Sequence, residues 1–177
     1  MKSIRLIGIV FFCLAGFVSA QSLALLPSLK GFTNSAFCKI NGCKLEESKV
    51  STNFYPKNWL PVDDRTYSLR SSDLKVTVSL QKKVNLYLAS FKVNGDTVSK
   101  ADRKIIADFF QTISGKEYYY PFSECQSASK LVRKRVNLNG RLYVLECMPD
   151  LPELRQASQE YTGKVVDPHM LFYITRK

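Results

Sequence analysis

The four residues Leu138-Asn139-Gly140-Arg141 constrain this chain more than any other stretch. Asn-Gly tolerates the positive φ angles of a type I′ turn, so it predicts a hairpin with a two-residue loop. That loop sets Leu138 against Arg141, Val136 against Tyr143, Lys134 against Leu145 and Val132 against Cys147, a mostly apolar face. The other face sets Arg133 against Glu146, a favourable cross-strand pair. Cys147 then falls on the core side. A short helix expected from Ser123 to about Lys130 carries Cys125 and must pack on that same side to reach it.

The other cysteines bear on where the chain goes. Lys2 and Arg5 precede an apolar run from Leu6 to Val18, and Val18-Ser19-Ala20 ends it with small residues. This is the pattern of a secretory signal peptide, residues 1–20, cleaved after Ala20. The 15 residues from Leu6 to Ala20 fall short of the roughly 20 that a spanning helix needs. Cys13 follows Phe12 inside the run and belongs to it rather than to a lipidation site. Removing the twenty residues from 177 leaves 157, and losing Lys2 and Arg5 leaves 24 basic residues against 15 acidic, a charge of +9 in place of +11. One domain of this length can bury about 70% of its unfolded surface.

Four cysteines remain, and four allow three pairings. The spacing favours two local disulfides, Cys38–Cys43 and Cys125–Cys147. A zinc site would want C-x2-C or Cys/His clusters, and the single His169 is distant in sequence. A redox pair would want C-x-x-C, which Cys38-x4-Cys43 does not supply. Structural disulfides in a secreted or periplasmic chain follow, with no metal and no cofactor expected.

Residues 21–64 form an irregular N-terminal segment around the Cys38/Cys43 loop, with Asn41-Gly42 as a turn signal. Phe54, Tyr55 and Trp59 are expected to cover one edge of the core, and Pro56, Pro61 and Asp63-Asp64 keep their stretch extended or looped. Residues 65–177 carry an α+β core in the same domain. Leu74, Val76, Val78 and Leu80 alternate with polar residues as a half-buried strand. Val84 to Val93 is apolar on both faces and reads as a mid-sheet strand paired with it. A two-residue loop pairs Val78 with Tyr87, and a three-residue loop pairs it with Leu86; the sequence leaves this register open.

A helix follows, with Ser99 as N-cap, Ala101, Ile105, Phe109 and Ile113 as its apolar stripe, Ile106 and Phe110 widening it, and Gly115 at C′. Asp150-Leu-Pro-Glu153 predicts another helix start, with Asp150 as the cap. That helix would run to about Tyr161 with Leu151, Leu154, Ala157 and Tyr161 inward. His169 to Thr175 closes the chain as a strand with Met170, Phe172 and Ile174 on one face. The expected class is α+β: a mainly antiparallel sheet with two or three helices packed on it, stapled by disulfides.

The basic residues Lys130, Arg133, Lys134, Arg135 and Arg141 gather on the predicted hairpin. A basic two-stranded ribbon can dock on an acidic polymer or an acidic protein surface. Tyr118, Tyr119, Tyr120 and Phe122 could add an aromatic contact surface. Catalysis has weaker support. His169 lies near Asp167 but no G-x-S-x-G elbow exists, and the pair Asp63-Asp64 sits in no calcium-binding loop. No catalytic residue is assigned. The sequence therefore points to an exported binding or structural module of the cell envelope or extracellular space, non-catalytic, that meets an acidic partner through its basic hairpin. The alternative is a small secreted hydrolase with a site near His169 or Asp63/Asp64.

Overall fold

The computed structural model describes Leu25 and residues 32–51, 62–81, 85–95, 97–163, 167 and 169–176. The predicted signal peptide, Phe54, Tyr55, Trp59 and Val84 lie outside the described residues. Four helices and seven strands are present among them: α1 Ala36–Asn41, β1 Lys44–Ser51, β2 Val62–Leu69, β3 Ser72–Gln81, β4 Asn85–Asn94, α2 Lys100–Ser114, α3 Phe122–Gln126, β5 Val132–Leu138, β6 Arg141–Met148, α4 Pro152–Thr162 and β7 His169–Arg176. The strands form one antiparallel sheet in the order β1-β2-β3-β4-β7-β6-β5. The fold is thus largely β, and it carries four helices where two or three were expected.

The Asn-Gly turn acts as its residue types require. Asn139 has φ 51° and Gly140 φ 73°, and the seven β5–β6 pairs run in the expected register from Leu138↔Arg141 to Val132↔Cys147. The turn also closes helix α2. Asn139 Nδ2 donates to Ser114 O at 2.7 Å, while Arg141 Nη1 and Tyr143 Oη donate to Ile113 O at 3.0 and 3.1 Å. These bonds satisfy helix-end carbonyls that have no partner inside the helix, and the Arg141 cation sits favourably at the negative end of the helix dipole. At the other end Ser99 Oγ accepts from Asp102 N at 3.0 Å, while Gly115, at the end that the turn closes, is left-handed. Ile105, Ile106, Phe109, Phe110 and Ile113 are buried as expected, whereas Ala101 is exposed.

One row of register partners defines the core face: Cys147 opposite Phe172, Phe172 opposite Phe91, Phe91 opposite Val76, Val76 opposite Tyr67, all buried. Helices α1, α2 and α3 cover this face. Phe37 of α1 and Phe109 of α2 meet Phe91 at 6.4 and 5.2 Å between ring centroids, and Phe122 of α3 meets Phe172 at 5.2 Å. Cys125 of α3 is joined to Cys147, and Cys38 to Cys43, with Cα separations of 5.9 and 4.9 Å. Both local pairings are therefore the ones the spacing favoured. Side chains on the opposite face, among them Thr66, Thr77, Ser90, Glu146 and Tyr173, are half-buried rather than buried.

Four expectations need correction. The segment 21–64 is not simply irregular, because it supplies α1, β1 and the start of β2. Ser35 caps α1, and Gly42 ends it at φ 63°, with Arg70 so close that an added Cβ would lie 3.0 Å from it. Second, Val78 pairs with Ala89, not with Tyr87 or Leu86, since the loop follows Gln81↔Asn85 and a bulge near Leu80 adds a residue. Third, Asp150 does not cap α4. Leu151 holds that position, and the Asp150 carboxylate instead accepts from His169 N at 3.3 Å and lies 2.9 Å from Arg155 Nε as an ion pair without hydrogen-bond alignment. Fourth, Ala157 is exposed and Tyr161 is 92% exposed, so these two do not turn inward as expected.

Candidate functional site

The period of two along β5 separates its three consecutive cations. Arg133 and Arg135 are exposed on the face opposite the core, and Lys134 points to the helix side. There Lys134 Nζ meets both carboxylate oxygens of Glu124 on α3 at 2.7 Å. Arg133 pairs with Glu146 across the ladder, as the register required. Arg141 is engaged at the end of α2. Of the five cations, only Lys130 and Arg135 have no ion pair or hydrogen bond among the described residues, and both are exposed. The sequence located the cluster but could not show that three members already have partners on their own chain.

Strand pairing extends this basic corner into a band that the sequence reading missed. Arg133 lies opposite Glu146, Glu146 opposite Tyr173, Tyr173 opposite Ser90, Ser90 opposite Thr77 and Thr77 opposite Thr66. Thr66 and Thr77 share a hydrogen bond of 2.9 Å. Burial, then the neighbouring Glu146 charge, raise the Tyr173 hydroxyl above its usual range, so it stays a neutral donor. The signal for these residues is their alternation with core residues. Their assembly depends on sheet order, which alternation does not carry.

The aromatic run divides differently from the expected contact surface. Tyr118 packs edge-on against Phe110 at 5.2 Å, Tyr120 against Phe172 at 4.7 Å, and Phe122 is buried with them. Only Tyr119 is open, at 55% exposure, with its hydroxyl 3.2 Å from Glu117. An extended segment alternates its side chains, so 118 and 120 turn inward together. Apolar rings gain more in the core than in water.

Tyr120 Oη is buried with no hydrogen-bond partner among the described residues. Burial, then the Glu124 charge, push this phenol up to about 12 from 10.0. Between those values the unfolded chain releases the proton that the folded chain keeps. Stability from this group is therefore complete below about pH 10 and is lost as pH rises toward 12, by roughly 2 kcal/mol. Urea midpoints measured across this range should fall for the natural chain. They should fall less for Tyr120→Phe, which near neutral pH should unfold at the same midpoint or a higher one, because it removes an unsatisfied buried hydroxyl. An equal alkaline fall in both proteins would exclude Tyr120 as its source.

The residues considered for catalysis do not converge. His169 Nδ1 meets the Asp167 carbonyl at 2.8 Å, a backbone contact two residues away. Asp63 and Asp64 are neighbours on a strand and so take opposite faces. Asp63 Oδ2 accepts from Arg65 at 2.9 Å, and Asp64 Oδ1 accepts from Ser79 at 2.5 Å. Among the described residues no three His, Cys, Asp or Glu side chains are grouped to hold a metal ion, and no helix is long and apolar enough to cross a membrane. Comparison of the chain with protein-family profiles, with curated proteins and with solved structures finds no match.

Proposed function

We propose that the protein is an exported, non-catalytic binding module that meets an acidic partner through the β5–β6 hairpin. The observation that carries this reading is the pair Lys130 and Arg135, exposed and without partners among the described residues beside the Arg133–Glu146 pair. The two disulfides fit a chain that matures in an oxidising compartment, secreted or periplasmic. A hydrolase centred on His169 or on Asp63 and Asp64 has no convergent side chains in its favour among the described residues.

Binding carried by these cations should weaken as salt rises. The full chain should retain double-stranded DNA, an acidic polysaccharide or an acidic peptide at low ionic strength. Replacing Lys130 and Arg135 together with Gln should weaken that binding about fivefold to tenfold, since exposed charges each contribute under roughly 1 kcal/mol. Absence of binding to all three probes at low salt would refute the reading.

A further inference from the structure

We propose that the partner is an extended acidic segment of another protein, which adds to the sheet as a strand along the outer edge of β5. This rests on the reading of the hairpin as an acidic-partner surface and deepens it. Two strands end the sheet, β1 and β5, and the chain treats them differently. The β1–β2 ladder is broken by a bulge between Leu45 and Glu47. β1 also carries both signs of charge, with Glu46 held by Lys75 at 2.7 Å. A bulge blunts an edge against further pairing, and mixed charge leaves an acidic strand no net attraction to β1. β5 has no bulge and no proline in seven consecutive pairs with β6.

The hairpin register says which backbone groups are open. Leu138 and Arg141 flank the two-residue turn and exchange hydrogen bonds, and so does every second pair beyond them. The intervening residues Arg133, Arg135 and Asn137 therefore aim their N–H and C=O groups away from β6. No described strand pairs on that side. Their side chains are exposed on one face, so a strand laid against this edge meets backbone donors and the unpaired Arg135 cation together.

Charge chooses the occupant. A second copy pairing β5 with β5 would set Arg against Arg, which destabilises cross-strand contacts, whereas carboxylates at alternate positions of an incoming strand would face Arg135. Two unpaired cations are few for a polyanion, since proteins that hold DNA mainly by charge engage about six to ten phosphates. An edge strand supplements two charges with a ladder of backbone hydrogen bonds.

The test uses the full chain and a synthetic ten-residue peptide of alternating Glu and Val, blocked at both ends. A second peptide of the same sequence carries N-methyl groups on alternate amides, in both phases, so that charge is kept and ladder donors are lost. The first peptide should bind at low salt, the methylated form whose blocked amides face β5 should bind at least fivefold more weakly, and the form methylated in the other phase should bind about as well as the first. On the protein side, Asn137→Pro removes an outward N–H without removing a cation or a ladder bond to β6. It should weaken the first peptide about fivefold, the share of one net hydrogen bond, with its circular dichroism unchanged. Should Asn137→Pro fail to fold, N-methyl scanning of the peptide gives the same answer from the other side. Equal binding of both methylated forms and the unmethylated peptide would overturn strand addition while leaving the acidic-partner reading intact. Tighter binding of DNA than of the peptide, or a dimer by sedimentation that the peptide does not disperse, would also overturn it. Failure of every acidic probe would instead remove the underlying reading.

Discussion

Phe172→Ala should cost about 3–5 kcal/mol, the usual loss for a core phenylalanine. Phe172 sits on β7 near the middle of the sheet, and its ring meets Phe91 of β4, Phe110 of α2, Tyr120 and Phe122 of α3, with centroid distances of 6.5, 6.4, 4.7 and 5.2 Å. These four neighbours come from three segments, β4, α2 and the stretch that leads into α3, each fixed by its own ladder, helix or packing. None can close over the space without moving its element, so the cavity stays open and the loss falls at the high end of the range. For a domain stable by about 5–15 kcal/mol this is a third or more of the total. Tyr173→Ala provides the contrast. It removes a larger side chain one residue along, but on the opposite face, where Tyr173 is only half-buried. Its urea midpoint should fall less than half as far. If Tyr173→Ala proved the more damaging, the assignment of the two faces would be wrong.

That contrast also shows what could be read in advance. Met170, Phe172 and Ile174 were legible as one face because alternation is local. The helix from Ser99 to Gly115 was legible because a cap, a stripe and a left-handed glycine agree within one segment. The β5–β6 register followed from two turn residues, and it carried the Cys125–Cys147 bridge with it. What escaped was non-local. β7, last in the chain, inserts between β4 and β6, and nothing in its own residues names those neighbours. β1 was invisible because an edge strand packs little: Leu45 and Val50 remain 50% and 67% exposed, so no buried face imposed a period. β4 was placed mid-sheet correctly, yet its register shifted because a bulge adds a residue without a sequence marker. The site suffered in the same way. Five cations were visible on the hairpin, but the Glu124 that neutralises Lys134 sits ten residues away on a helix. The Ile113 carbonyl that engages Arg141 is 28 residues away.

Replacing Cys125 and Cys147 together with Ala should lower stability by about 3 kcal/mol, against about 2 kcal/mol for the Cys38–Cys43 pair. In the loop-entropy account the difference follows from sequence separations of 22 and 5. Packing widens it, since Cys125 and Cys147 are fully buried in the core, whereas Cys43 is only partly buried against it. For a domain of this size about 3 kcal/mol corresponds to a melting point lower by roughly 6–12 °C. The consequence reaches the hairpin. The 125–147 bridge ties the five-residue α3 to β6, and α3 carries the Glu124 that engages Lys134. Loosening α3 should free Lys134 and add a third unpaired cation beside Lys130 and Arg135. The Cys125→Ala/Cys147→Ala protein, studied below its melting point, should therefore bind an acidic peptide with a steeper salt dependence than the natural chain. The Cys38→Ala/Cys43→Ala protein should keep the natural slope, since α1 lies by β2 and β3 at the other end of the sheet. Identical slopes in all three proteins would mean that Lys134 stays neutralised without the bridge, and that Glu124 is held by the packing of Phe122 alone.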